Sequence, residues 1–527
     1  MAPPAAASPS LALRLRDPAQ FPHAIADVAV VETHISWVVL AGDFAYKIKK
    51  PLDLTFLDFS TLAKRRHACA EEVRLNRRLA PELYLDVVAI TGTPDAPRVG
   101  GDGAPIEYAV RMRRFDRTQE LDRLLAAGAL PPERIDELAH TVARFHAAAP
   151  AAAKDDPWGD PAAVLANALA NFDHVRRLER AADVAPRVDA LHAWTRAEHG
   201  RVAPAMAARL AAGRVRECHG DLHLANMVLH GGRVVVFDCI EFNPALRWTD
   251  VMAEVAFTAM DLRHRGRRDL AQRFVNDYLE ATGDYDGLAV LRFYVVYRAM
   301  VRAKIAAIRA AQETGAAARG RDRAEFLAHL TLAETCAESP RAALAITCGA
   351  SGSGKSFAAG RLKETDDWIR IRSDVERKRL AGLAAADRSG SGLAAGIYAG
   401  DMTARTYARL ADLARTVLAA GYPVIVDATF LARAQRAAFR TLAATLEVPF
   451  AILAPQTPAA VMRARVTARD AAGTDASEAT LAVLERQLAA AEPLGPDEVA
   501  AAVTFDASGP IDVATLAAAV AAKFGAA

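Results

Sequence analysis

A chain of 527 residues is too long for one hydrophobic core and calls for two or three domains. Its 52% hydrophobic and 24% charged composition is globular rather than disordered or fibrous, and 65 Lys and Arg against 63 Asp and Glu leave a net charge of +2. That balance gives no electrostatic reason to expect a nucleic-acid partner, and no run reaches the ~18 uncharged apolar residues of a membrane span.

The first residues, MAPPAAASPSLALRLRD, carry proline where the apolar segment of a secretory signal should stand, and residues 1–10 are expected to be a disordered start. Cys69, Cys218, Cys239, Cys336 and Cys348 show neither CxxC pairing nor metal-ligand spacing, which fits a reduced, cytoplasmic setting.

Residues 36–42 and 44–50 are β-rich runs split by Gly42-Asp43, so they should pair as a hairpin. The two-residue period puts Lys47 and Lys49 on one face, and the helix that follows offers Glu71 and Glu72. A lysine held by a helix glutamate grips the α/β-phosphates of ATP in kinases; Lys47 with Glu72 is the first choice, with Lys49 and Glu71 in reserve. A solvated strand lysine is the plainer alternative. Residues 106–115 read as a strand against the nucleotide base, and amphipathic helices of a larger lobe follow.

Residues 217–241, ECHGDLHLANMVLHGGRVVVFDCIE, hold the first chemical constellation. Asp221 lies on a turn, Asn226 is the fifth residue after it, and an apolar strand ends at Asp238. One carboxylate to accept a hydroxyl proton, with an amide and a second carboxylate to hold Mg2+ on the ATP phosphates, is what phosphoryl transfer requires. Asp250 is read as a buried carboxylate bonded to this loop.

The second constellation is an apolar strand, a glycine loop and a helix start beginning at Arg341. Gly349, Ala350, Ser351, Gly352, Ser353, Gly354, Lys355 and Ser356 satisfy G-x-x-x-x-G-K-[ST]. The glycines let N–H groups curl around phosphates, Lys355 reaches the β/γ-phosphates and Ser356 ligates Mg2+. Alternating strands and helices then imply a doubly wound parallel sheet with ligands at the strand C-termini. Asp427 ends one strand and reads as a magnesium carboxylate. Asp374, just past another strand, could take a proton from an acceptor hydroxyl or simply cap a helix. Arg377 could hold an acidic group, and Arg463, Arg465 and above all Arg469 could close over the phosphates.

With these residues laid out, the first 330 or so positions resemble the aminoglycoside phosphotransferase-like branch of the protein-kinase fold, through HGDLHLAN and FDCIE. The resemblance implies Asp221 as base, Asn226 and Asp238 as metal ligands and Glu241 near the metal loop. Two departures stand out: no G-x-G-x-x-G loop precedes Lys47, and Cys239-Ile240-Glu241 replaces small residues after Asp238. From residue 341 the chain is similar to small P-loop kinases of the polynucleotide-kinase-like, gluconate-kinase-like and zeta-toxin-like groups. The whole resembles bacterial fusions of the two.

The expected plan is therefore α/β and α+β: a bilobal kinase-like domain over 11–335 and a P-loop domain with a doubly wound parallel sheet over 340–527. The expected activity is ATP- and Mg2+-dependent transfer of the γ-phosphate to small-molecule hydroxyl acceptors at two sites. In one alternative, one half is a regulatory nucleotide-binding module; in another, the P-loop half acts on polynucleotide ends. Oligomeric state is left open.

Overall fold

The computed structural model describes residues 9–54, 57–153, 155–339, 341–385, 387, 400–472 and 477–525. Of the start expected to be disordered, residues 1–8 lie outside this set, as does Pro340, while Pro9 and Ser10 open a helix. The chain divides into two compact units, Met1–Asn167 with Met206–Asp261, and Ala168–Ala205 with Leu262–Ala527.

The first unit begins with α1 (Pro9–Arg14), β1 (Val28–Glu32), β2 (Ser36–Ala41), β3 (Phe44–Lys49), the short pair β4 (Asp53–Leu54) and β5 (Leu57–Asp58), α2 (Leu62–Asn76), β6 (Tyr84–Thr93), β7 (Ala96–Val99) and β8 (Glu107–Arg113). Six of these strands form a sheet in the order β1-β2-β3-β8-β6-β7. The β2–β3 register runs from Ser36↔Lys49 to Ala41↔Phe44, which leaves Gly42-Asp43 as the turn, with Gly42 at φ +58°. Strand alternation then sorts the side chains of β3. Tyr46 and Ile48 enter a core with Leu11, Leu15, Trp37 and Val39, whereas Ala45 joins Cys69, Val73 and Val110 on the α2 side. Lys47 and Lys49 share that second face, so they meet α2.

The unit continues through α3 (Leu121–Ala126), α4 (Glu133–Ala148), the start of α5 (Pro161–Leu178), the end of α6 (Ala185–Ala211), β9 (Val215–Glu217), the antiparallel hairpin of β10 (Met227–His230) and β11 (Arg233–Val236), α7 (Pro244–Arg247), β12 (Trp248–Asp250) and most of α8 (Val251–His264).

The second unit holds the rest of those straddling helices with α9 (Arg268–Thr282), α10 (Leu288–Gln312) and α11 (Ala316–Ala337). An alternating series follows: β13 (Leu344–Thr347), α12 (Lys355–Leu362), β14 (Ile369–Arg372), α13 (Ser373–Leu380), α14 (Gly400–Ala419), β15 (Val424–Asp427), α15 (Arg433–Thr445), β16 (Phe450–Gln456), α16 (Ala459–Ala472), α17 (Leu481–Ala490), α18 (Pro496–Val499), β17 (Ala502–Asp506) and α19 (Val513–Lys523). Its five strands are parallel, in the order β14-β15-β13-β16-β17. Every residue of β13 and β15 is buried, as both-face coverage of a parallel sheet requires.

The exposed edge of β14 is closed by α9. The Asn276 side chain donates to Trp368 O at 2.9 Å and accepts from Arg370 N at 2.7 Å, standing in for a neighbouring strand. Lys363–Asp277 at 2.6 Å and Glu280 with Arg370 and Arg372, at 3.3 and 3.0 Å, add ion pairs along the same edge. This seam explains why the helices after His264 group with the P-loop sheet.

Candidate active sites

In the first unit, β9 runs into the loop at 218–223, and α8 holds that loop by its backbone. Glu254 accepts the N–H groups of His219 and Gly220 at 2.8 and 2.6 Å. Thr258 donates to Leu222 O at 2.8 Å, and Asp261 accepts Leu224 N–H at 2.9 Å. Positions 254, 258 and 261 share one helix face, so one stripe of α8 fixes four loop peptides. Asp250, expected in this role, is instead gripped by Arg209 at 2.7 and 2.8 Å and accepts Met252 N–H at the start of α8. Gly220 has φ +92°, and a Cβ there would lie 3.1 Å from Leu246 O.

The Asn226 amide donates to the Asp221 carbonyl and to its Oδ2, both at 3.0 Å, and His223 Nε2 lies 3.2 Å from the same Oδ2. The hairpin register Met227↔Val236 continues into a bond from Phe237 N–H to Asn226 O at 2.9 Å, so Asp238 follows directly opposite the loop. His219 Nε2 donates to Phe237 O at 2.9 Å, and burial keeps this imidazole below its ordinary pKa and neutral. Asp238 has φ +64°, a strained conformation for a residue with a side chain, held by its own N–H on Tyr84 Oη and by Cys239 N–H on Asn76 Oδ1.

Both lysines are engaged. Lys47 Nζ lies 2.8 Å from Glu72 and 2.5 Å from Asp238, while the fully buried Lys49 bonds Glu72 and Glu241. Glu71 faces the other way, onto Arg74 and Arg247. Burial alone would raise Glu72, but the two ammonium groups outweigh it and hold its carboxyl below the usual range. Two ammoniums thus face three carboxylates, of which Asp238 is half exposed.

In the second unit the glycine loop joins β13 to α12. Gly352 and Gly354 have φ +81° and +90°, and a Cβ on Gly352 would sit 2.6 Å from Met462 O. Lys355 is the first residue of α12, with Nζ 3.5 Å from Ala350 O. Ser356 Oγ donates to Asp427 Oδ1 at 3.0 Å, and Asp427 Oδ2 is buried without a hydrogen-bond partner among the described residues. An orphan carboxylate oxygen next to the loop serine suits a magnesium shell.

The register Arg372↔Asp427 aligns the ends of β14 and β15, which brings the start of α13 alongside. Arg372 occupies the cap position, so Asp374 lies within the first turn rather than capping it. Arg377 is buried and donates to Thr403 at 3.2 Å. A cavity of about 340 Å³ opens at Gly352, Lys355, Ser356 and Phe357, with Arg465 and Arg469 in its wall. Arg465 also donates to Gly352 O at 3.3 Å, whereas Arg463 is paired with Glu485.

Residues 55–294 match the model of a family described as the phosphotransferase enzyme family, and residues 344–494 match one described as an AAA domain. Uncharacterised proteins of Mycobacterium tuberculosis and Mycobacterium bovis are each 32% identical over 460 residues, covering 87% of this chain and 89% of theirs. A gluconokinase structure from Sinorhizobium meliloti 1021 is similar over 35% of this chain and 93% of its own, with 21% identity and a TM-score of 0.25. A choline/ethanolamine kinase family protein from Mesorhizobium loti is similar over 59% and 93%, with 13% identity and a TM-score of 0.34.

Proposed function

We infer the function from the family that this chain shares with its mycobacterial relatives and from its own two domain matches, a phosphotransferase-enzyme domain followed by a P-loop kinase-like domain. The protein is a kinase, an ATP-using phosphotransferase. Beyond this, we propose two separate transfer sites, one in a domain over 11–335 and one over 340–527, each delivering the γ-phosphate to a hydroxyl of a small molecule. What carries the reading is that each unit holds a complete set: Asp221, Asn226, Asp238 and Lys47 in one, Lys355, Ser356, Asp427 and Asp374 in the other.

In the first site Asp221, steadied by the Asn226 amide, takes the acceptor's proton, and Lys47 neutralises α/β-phosphate oxygens. Asn226 and Asp238 would hold Mg2+. In the second, the loop N–H groups and Lys355 wrap the phosphates, Asp374 takes the proton, and Ser356 with Asp427 would hold Mg2+. At both sites the ion would supply charge neutralisation on the phosphates. Arg465 and Arg469 line the phosphate cavity from α16.

No helix among the described residues is long and apolar enough to cross a membrane. All five cysteines are free, and burial raises the thiols of Cys69, Cys218, Cys239 and Cys336. The free thiols support a place in a reducing cytoplasm.

The test is an ATP-consumption screen against sugars, polyols, aminoglycosides, nucleosides and oligonucleotide ends, run on wild type, Asp221→Asn and Lys355→Ala. The expected result is two acceptor classes, one lost with each variant. A single class lost with both, or turnover insensitive to both, would overturn the two-site reading.

A further inference from the structure

Phe357 stands in the first turn of α12, directly after Lys355 and Ser356, and is 58% exposed. It lines the same cavity of about 340 Å³ that opens at the glycine loop. The loop between β17 and α19 supplies more of that wall through Ala507, Pro510 and Ile511. Ile511 packs on the core that α12 and α19 share through Leu362, Leu516 and Val520. The loop is fixed by its own bonds: Ala507 N–H donates to Gln456 O at 3.0 Å and Ser508 N–H to Asp506 at 2.8 Å. Arg465 ties it to the glycine loop by donating to Ser508 O at 3.2 Å and to Gly352 O at 3.3 Å. Phosphate cradle and apolar wall are therefore parts of one preformed cavity.

We propose that Phe357 is the platform on which the nucleobase of the second site lies, so that this site holds a purine nucleoside triphosphate by the face of its base rather than by its edge. This rests on the reading of the glycine loop as a nucleotide site and adds what seats the part of the nucleotide that the loop does not wrap. An aromatic ring stacks on any base because every base has a π-face, and the two rings of a purine give it the larger overlap. Reading a base edge needs uncommitted donors and acceptors. Among the described residues of the cavity wall there is no carboxylate or carboxamide side chain, Pro510 has no N–H, and the Ala507 N–H, Ser508 N–H and Ser508 carbonyl are engaged as above.

Two plainer roles explain Phe357 less well. It is not a core residue, since its neighbours Ala358, Ala359 and Leu362 carry the buried face of α12 while its own ring stays out. Nor is it an ordinary solvated position, because a bare aromatic ring beside an anion cradle leaves apolar area in water that a stacked base would cover. Arg465 and Arg469, one turn apart on α16, place positive charge in the same wall for the triphosphate, which leaves the apolar side chains to the base.

The test is calorimetric titration of the full-length chain, with Mg2+, using non-hydrolysable ATP and GTP analogues and inorganic tripolyphosphate, the equivalent lost in Lys355→Ala marking the second site. At that site Phe357→Ala and Phe357→Leu should each weaken both purine analogues ~10-fold or more while tripolyphosphate binds as in wild type, and Phe357→Trp, which keeps an aromatic face, should bind them as wild type does. The ATP and GTP analogues should bind the unaltered site within about 3-fold of each other, since stacking is tolerant of the base. Unchanged nucleotide affinity in Phe357→Ala, equal weakening of nucleotide and tripolyphosphate, or a wider gap between the two purines overturns the proposal with the nucleotide site itself intact. Retention of every equivalent in Lys355→Ala overturns the nucleotide site first, and the proposal with it.

Discussion

Glu254 and Gly220 stand 34 residues apart in sequence, yet the carboxylate of one receives the peptide N–H of the other at 2.6 Å, and that of His219 at 2.8 Å with its second oxygen. The carboxylate is fully buried and bonds the turn that presents Asp221. Burial alone would raise its pKa; the His146 side chain and the bond from the His219 backbone N–H bring it down to about 2 from 4.5.

Replacing Glu254 by Ala should therefore cost about 3–5 kcal/mol, because two buried N–H donors and a histidine lose their partner at once. The sign of the pH dependence follows from the depressed pKa. The contribution is complete above pH 4.5 and is lost as pH falls from there towards 2. Thermal melts across this range should show the loss in wild type and a flatter acid limb in Glu254→Gln.

Lys47 and Lys49 predict opposite phenotypes. Lys47→Met leaves Glu72 its bond to Lys49, so the chain should fold while kcat/KM for ATP at the first site falls ~100-fold or more. Lys49→Met strands the Glu241 carboxylate in the interior and leaves Glu72 with Lys47 alone, and should cost about 3–5 kcal/mol. Denaturant melts and steady-state kinetics on the two variants separate the roles; equal kinetic loss with unchanged stability in both would refute the division.

Gly352 admits no side chain: its φ is +81° and the space a Cβ needs is taken by Met462 O. Gly352→Ala should push the loop off α16 and abolish nucleotide binding at the second site alone, as read by the first site's untouched turnover.

Glu280 joins α9 to Arg370 and Arg372, and Arg372 caps the helix that carries Asp374. Although burial opposes ionisation, the surrounding Arg372, Arg370 and Lys363 charges keep its carboxyl below the usual range. Its stabilising effect is thus present at neutral pH and lost on acidification. Glu280→Ala should destabilise the second unit by about 3 kcal/mol and raise the acceptor KM there, in coupled assays of the P-loop activity.

What could be read from the sequence was what lies close together in it. Asp221, Asn226 and Asp238 are joined by one hairpin, and the glycine loop, Lys355 and Ser356 are contiguous, so spacing alone placed them. Asp427 was visible because it ends an apolar strand. Partners brought in by tertiary packing were not visible. Asp250 looked like the loop's anchor because of its nearness in sequence, but Arg209 from α6 captures it, and Glu254, one turn further along α8, takes the role. The paired use of Lys47 and Lys49 depends on Glu72 sitting between them, which strand alternation permits but does not require. Asn276 closing the β14 edge, and His264 meeting α11, link elements whose approach no local pattern encodes.

The central claim, two independent nucleotide sites on one chain, is tested most directly by calorimetric titration of the full-length protein with a non-hydrolysable ATP analogue and Mg2+. Two equivalents should bind to wild type, and one to Lys355→Ala. A single equivalent in wild type, or two retained in Lys355→Ala, would contradict it.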